Sequence, residues 1–133
     1  MGSPPTVEAR ARQSKILVVE DDDDIRDSIK ELLEEEGYSI DTAANGQQAL
    51  ARIRGAGVPQ LILLDLMMPV MDGWQFQREL RQDPECAQIP VIVISASKFS
   101  RERVEADAFI SKPLDGGVLL ETIESFLSGT RAG

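Results

Sequence analysis

Apolar positions along this chain alternate between two rhythms. Lys15-Ile16-Leu17-Val18-Val19 is a short continuous run rich in β-branched residues, the pattern of a strand covered on both faces. After Glu20 come four aspartates. Ile25, Ile29, Leu32 and Leu33 then recur at helical spacing, and Gly37 stands where a left-handed cap ends a helix. The alternation repeats three more times. Tyr38 to Thr42 reads as a strand, and Asn45-Gly46 opens a helix bearing Ala49, Leu50 and Ile53. Leu61-Ile62-Leu63-Leu64 is a second buried strand ending at Asp65, followed by a helix through Phe76 and Leu80 that closes near Asp83-Pro84. Pro90 to Ile94 is a third, ending at Ser95. Ala108-Phe109-Ile110 is a last short strand before Lys112-Pro113. Asp115 is placed to cap a final helix with Leu119, Ile123, Phe126 and Leu127 on one face.

Five strands separated by helices predict an α/β domain with a parallel sheet covered on both faces, because each parallel connection needs a crossover. The domain is expected over residues 15–128, with 1–14 as a flexible N-terminal arm and 129–133 as a C-terminal tail. No linker, repeat or second domain is read in the sequence.

Composition narrows the chemistry. A formal charge of −9 argues against direct nucleic-acid binding, where a basic footprint supplies most of the affinity. No apolar run approaches the ~20 residues of a membrane helix, and the single cysteine, Cys86, rules out an intrachain disulfide. A cytoplasmic setting is expected. The chain has no histidine, which removes Ser-His-Asp triads and His-based zinc sites. Carboxylates, hydroxyls and lysines must carry any reaction.

In a doubly wound sheet, ligands sit beyond the carboxyl ends of the strands. Glu20, Asp21 and Asp22 follow the first strand, Asp65 ends the third, Ser95 the fourth, and Lys112 follows the fifth. Taken singly, the acids suit a solvated helix N-terminus or a turn, Ser95 a capping hydroxyl and Lys112 a surface charge. Their common position at strand ends favours a shared site. Clustered carboxylates invite a hard cation such as Mg²⁺, and Asp21 with Asp65 would leave coordination positions for phosphoryl oxygens. Asp65 could then act as nucleophile, with Lys112 and Ser95 meeting the phosphoryl group.

These pieces resemble the receiver domain of two-component response regulators. The resemblance rests on Ile16-Leu17-Val18-Val19-Glu20-Asp21-Asp22, on Leu63-Leu64-Asp65-Leu66-Met67-Met68-Pro69 through Gly73, on Pro90 to Ala96, and on Phe109-Ile110-Ser111-Lys112-Pro113. It covers residues 15 to 128 in order. It implies a flavodoxin-like doubly wound fold and a phosphoacceptor regulatory domain rather than an enzyme. Asp65 would be the phosphoacceptor, with Glu20 and Asp21 as the acidic pair and Met67 ligating the metal through its backbone carbonyl. Ser95 and Phe109 would be the switch residues and Lys112 the phosphate-binding lysine. The metal implied is Mg²⁺, with Mn²⁺ as an alternative. The implied partners are a histidine kinase or histidine phosphotransfer protein, docking in part on the first helix around Ile25, and an unidentified downstream protein. No membrane partner is expected, and the chain should be a monomer or weak dimer. The Lys112-Pro113 peptide should be cis.

One departure stands out. Ser95 and Lys112 are closer in sequence than receivers usually have them, so the fourth helix is expected to be short or missing. Met67, and Ser97 beyond the switch hydroxyl, occupy positions that tune acyl-phosphate lifetime in the family. Three rival readings remain: a nucleotide or flavin binder, an aspartyl-phosphate phosphatase, and a receiver-like binding module that is never phosphorylated. The first lacks a Gly-rich phosphate loop, and the second lacks an acid where Met67 stands.

Overall fold

The computed structural model describes residues 15–65, 73–95 and 106–127. Five strands, β1 (Lys15–Val19), β2 (Ser39–Ala43), β3 (Leu61–Asp65), β4 (Val91–Ser95) and β5 (Ala108–Ser111), form one parallel sheet in the order β2-β1-β3-β4-β5. Four helices are found among the described residues: α1 (Asp23–Glu35), α2 (Gly46–Ala56), α3 (Gly73–Gln82) and α4 (Gly116–Leu127). The segment 96–105, where a short or missing helix is expected, lies outside the described residues.

Side chains alternate across the pleat, so β1, β3 and β4 feed two separate cores. Leu17, Val19, Ile62, Leu64, Val91 and Val93 pack with α2 and α3 through Ala49, Leu50, Ile53, Phe76 and Leu80. Ile16, Val18, Leu61, Leu63, Ile92 and Ile94 pack with α1 and α4 through Ile29, Leu33, Leu119 and Ile123. This double burial is why those strands are continuous apolar runs. The edge strand β2 is less buried, and its sequence mixes polar with apolar residues.

Local chemistry fixes the helix ends. Asp22 caps α1 by accepting from the Ile25 amide at 3.0 Å, and Asp23 and Asp24 sit where the helix dipole favours acids. Asn45 caps α2 by accepting from the Gln48 amide, while the Gln48 side chain accepts in return from the Ala44 amide, both at 2.9 Å. Asp115 caps α4, accepting from the Gly117 and Val118 amides at 2.8 and 3.1 Å. Gly37, at φ 93°, takes the left-handed conformation that ends α1.

One boundary differs from the sequence reading. Tyr38 was expected to open the second strand, but its amide donates to the Leu33 carbonyl at 3.2 Å as part of the α1 terminus. The strand therefore starts at Ser39, paired with Lys15, and Tyr38 is spent as a buried plug beneath α1.

Candidate functional site

The strand ends are level. Val19 pairs with both Ala43 and Leu64, Asp65 with Ile94, and Ser95 with Ser111. Residues at or just beyond these positions therefore share one edge of the sheet. Strand order reverses between β1 and β3, and the crevice beyond a reversal is where open α/β sheets hold ligands.

Glu20 and Asp65 are buried there at 2% and 4% exposure, and Asp21 is exposed beside them. One carboxylate oxygen from each of the three lies within 4.8 Å of the others. The Lys112 ammonium reaches in from the end of β5, 3.3 Å from Glu20 Oε1 and 3.6 Å from Asp65 Oδ2. Its backbone is tied to the neighbouring strand, because the Lys112 amide donates to the Ser95 carbonyl at 3.1 Å. The Lys112-Pro113 peptide is cis.

Electrostatics follow from this crowding. Burial pushes the Glu20 carboxyl from 4.5 up to about 7, reinforced by its hydrogen bond to Asp65 and that group's charge. The Asp22 amide, donating to Glu20 Oε2 at 3.2 Å, and the Lys112 charge oppose the rise. Burial pulls Lys112 down, but the charges of Asp65 and Glu20 outweigh it and hold the amine above its ordinary value. The pocket thus holds more negative charge than one lysine can balance. Its donors are all hard oxygens, which suits Mg²⁺ or Mn²⁺ rather than a softer metal.

Of the other candidate residues, Ser95 is buried at the end of β4. Phe109 is half-buried, packed against the core on the α2 and α3 side. Met67 and Ser97 lie outside the described residues. Arg26 was missed in the sequence. Its Nη1 donates to the Glu20 carbonyl at 3.0 Å, and its Nη2 pairs with the Asp23 carboxylate. The available signal was its position three residues after Asp23, on the same face of the first helical turn.

Fold and pocket together define an α/β domain built around an oxygen-rich acidic crevice at its strand ends. The chain matches the response regulator receiver domain over residues 16–124, and it belongs to that family, the receiver modules of two-component systems. It is 32% identical over 128 residues to the response regulator Rre1 of Synechocystis, covering 92% of this chain and 55% of that protein. The chain spans about half the length of such curated relatives. Among solved structures, the receiver domain of a signal transduction histidine kinase from Syntrophus aciditrophicus superposes with a TM-score of 0.80 at 34% identity, covering 90% of this chain and 94% of that one. The receiver domain of the sensor histidine kinase PA1611 from Pseudomonas aeruginosa does so with a TM-score of 0.80 at 26% identity, covering 86% and 98%. That structure holds a magnesium ion in its active-site cleft. Among the described residues, no helix is long and apolar enough to cross a membrane.

Proposed function

We propose that this domain is a phosphoacceptor switch in which Asp65 takes a phosphoryl group from a phosphohistidine on a kinase or phosphotransfer protein. The observation that carries the reading is the Lys112 ammonium lying within 3.6 Å of the Asp65 carboxylate, beside an acidic trio able to hold a cation. Asp21 and Asp65 would ligate Mg²⁺ or Mn²⁺, with Glu20 in support and the Met67 carbonyl as a further ligand. When bound, the ion supplies positive charge that offsets the phosphoryl oxygens.

The remaining steps belong to the chain. An Asp65 carboxylate oxygen attacks phosphorus. The P–N bond of the donor breaks, with its electron pair going to the imidazole nitrogen, and an acyl phosphate forms. Lys112 then meets a phosphoryl oxygen that takes over from its carboxylate partners. The Ser95 hydroxyl would meet another, and the space it leaves would admit Phe109, changing the surface offered to a downstream protein. A groove of about 310 Å³ between α1 and the turn before α4, lined by Ile25, Leu32, Leu114 and Gly116 among others, lies where the donor would dock. The domain would run over residues 15–128 and act in the cytoplasm.

The test is incubation with acetyl phosphate and Mg²⁺, read by intact mass and peptide mapping. A stable phosphoryl adduct on Asp65, absent in Asp65→Asn, is the expected result. Continuous phosphate release would indicate a phosphatase instead. No adduct and no binding of beryllofluoride would leave only a binding module and overturn the reading.

A further inference from the structure

The connection from β1 to α1 is only three residues long, Glu20 to Asp22, and it carries two of the three clustered carboxylates. Such a short turn, made of acids that repel one another, needs something to hold its shape. On the strand side, the Glu20 amide donates to the Ala43 carbonyl at 3.0 Å. On the helix side, Asp22 is engaged as the cap, its carbonyl accepting from the Arg26 amide at 2.9 Å. The Glu20 carbonyl stands at the head of the turn. It is taken by the Arg26 guanidinium, whose second nitrogen pairs with the Asp23 carboxylate. The Arg26 side chain is only 17% exposed, against 52% for Arg52 on the outside of α2, so it is packed into this position rather than left in solvent.

We propose that Arg26 is a positioning residue for the divalent-cation site: its planar fork ties the end of β1 to the first turn of α1, so that Glu20 and Asp21 are presented to the ion in a preset arrangement. The inference rests on reading the pocket as a cation and phosphoryl site. A guanidinium suits the task because it donates in two fixed directions, to a carbonyl and a carboxylate at once. An ammonium can satisfy one of them well. The sign of the effect separates this role from its alternative. If Arg26 acted only as a counter-charge to the acids, removing it would strengthen attraction for a dication. If it positions them, removing it weakens binding despite that gain.

The experiment uses the full chain as wild type, Arg26→Met and Arg26→Lys. Mg²⁺ affinity is measured by calorimetry, and exchange of the Asp22 amide is followed by NMR without metal. Folding is verified by urea denaturation. Groups that orient metal ligands typically contribute ~10–100-fold in affinity. Arg26→Met should therefore bind Mg²⁺ about tenfold more weakly, with Arg26→Lys in between although its charge is kept. The Mg²⁺ concentration for half-maximal labelling by acetyl phosphate should rise by the same factor. The Asp22 amide, bonded to Glu20 Oε2, should exchange faster in both variants. Unchanged or tighter Mg²⁺ binding in Arg26→Met overturns the proposal, and if that variant fails to fold, unchanged binding in Arg26→Lys does so. If the wild type binds no Mg²⁺, the functional reading of the pocket fails, and the amide exchange alone decides whether Arg26 holds the turn.

Discussion

Replacing Glu20 by Gln should stabilise the metal-free protein above neutral pH. In the fold, burial and the neighbouring Asp65 raise the Glu20 carboxyl from 4.5 to about 7. A carboxyl raised by folding binds its proton more tightly in the native state. Stability is therefore fully present below 4.5 and is lost as pH climbs through about 7. At about 1.4 kcal/mol per pH unit, that interval sets a ceiling of about 3 kcal/mol. Sharing of the proton with Asp65, and the lost 3.3 Å contact to Lys112, bring the expected gain for Glu20→Gln nearer 1–2 kcal/mol at pH 8. Urea denaturation in EDTA, repeated from pH 5 to 8, measures it. The variant should exceed the wild type at pH 8, the gap should narrow towards pH 5, and saturating Mg²⁺ should close it by stabilising the wild type. A variant less stable than the wild type at pH 8, or a gap independent of pH, refutes the account of the pocket as charge-strained.

Three further outcomes follow from the geometry. Lys112→Ala should slow labelling of Asp65 by acetyl phosphate about a hundredfold, since a positioned cation facing transferred charge is typically worth that much; a rate within a few-fold of wild type, from mass spectra over time, would exclude the lysine from the step. Gln77 is 5% exposed and both its amide atoms lack a hydrogen-bond partner among the described residues, so Gln77→Met should raise the denaturation midpoint by the equivalent of about 1 kcal/mol, whereas a loss would point to a partner the amide does use. Asp107 accepts from the fully buried Val91 amide at 2.8 Å, so Asp107→Ala should cost about 1–3 kcal/mol by orphaning that donor, measured by the same denaturation.

Much of this fold can be read from the chain because its signals are local. Continuous runs such as Leu61–Leu64 and Val91–Ile94 announce strands buried on both sides, and Gly37, Asn45 and Asp115 mark helix ends by chemistry that acts over three or four residues. The meeting of Glu20, Asp21, Asp65 and Lys112 is legible too, since each stands at a strand end and parallel strands bring those ends together. What escapes is whatever depends on where a long side chain turns. Tyr38 looks like strand by composition, yet its amide is claimed by the helix before it. Arg26 resembles any surface arginine until the bend of the turn places the Glu20 carbonyl within its reach. Gln77 is polar by composition, and only its place between Phe76 and Leu80 on the inner side of α3 points to its burial.

The ion pair between Lys112 and Glu20 joins residues 92 positions apart, the first strand to the last. A chain still being synthesised, or one cut short before β5, would display its carboxylates without the amine that balances them. Such a fragment would lack the ammonium that lies 3.3 Å from Glu20 and 3.6 Å from Asp65. The charge balance of the crevice is in this way a property of the whole sheet, complete only once β5 is laid against β4.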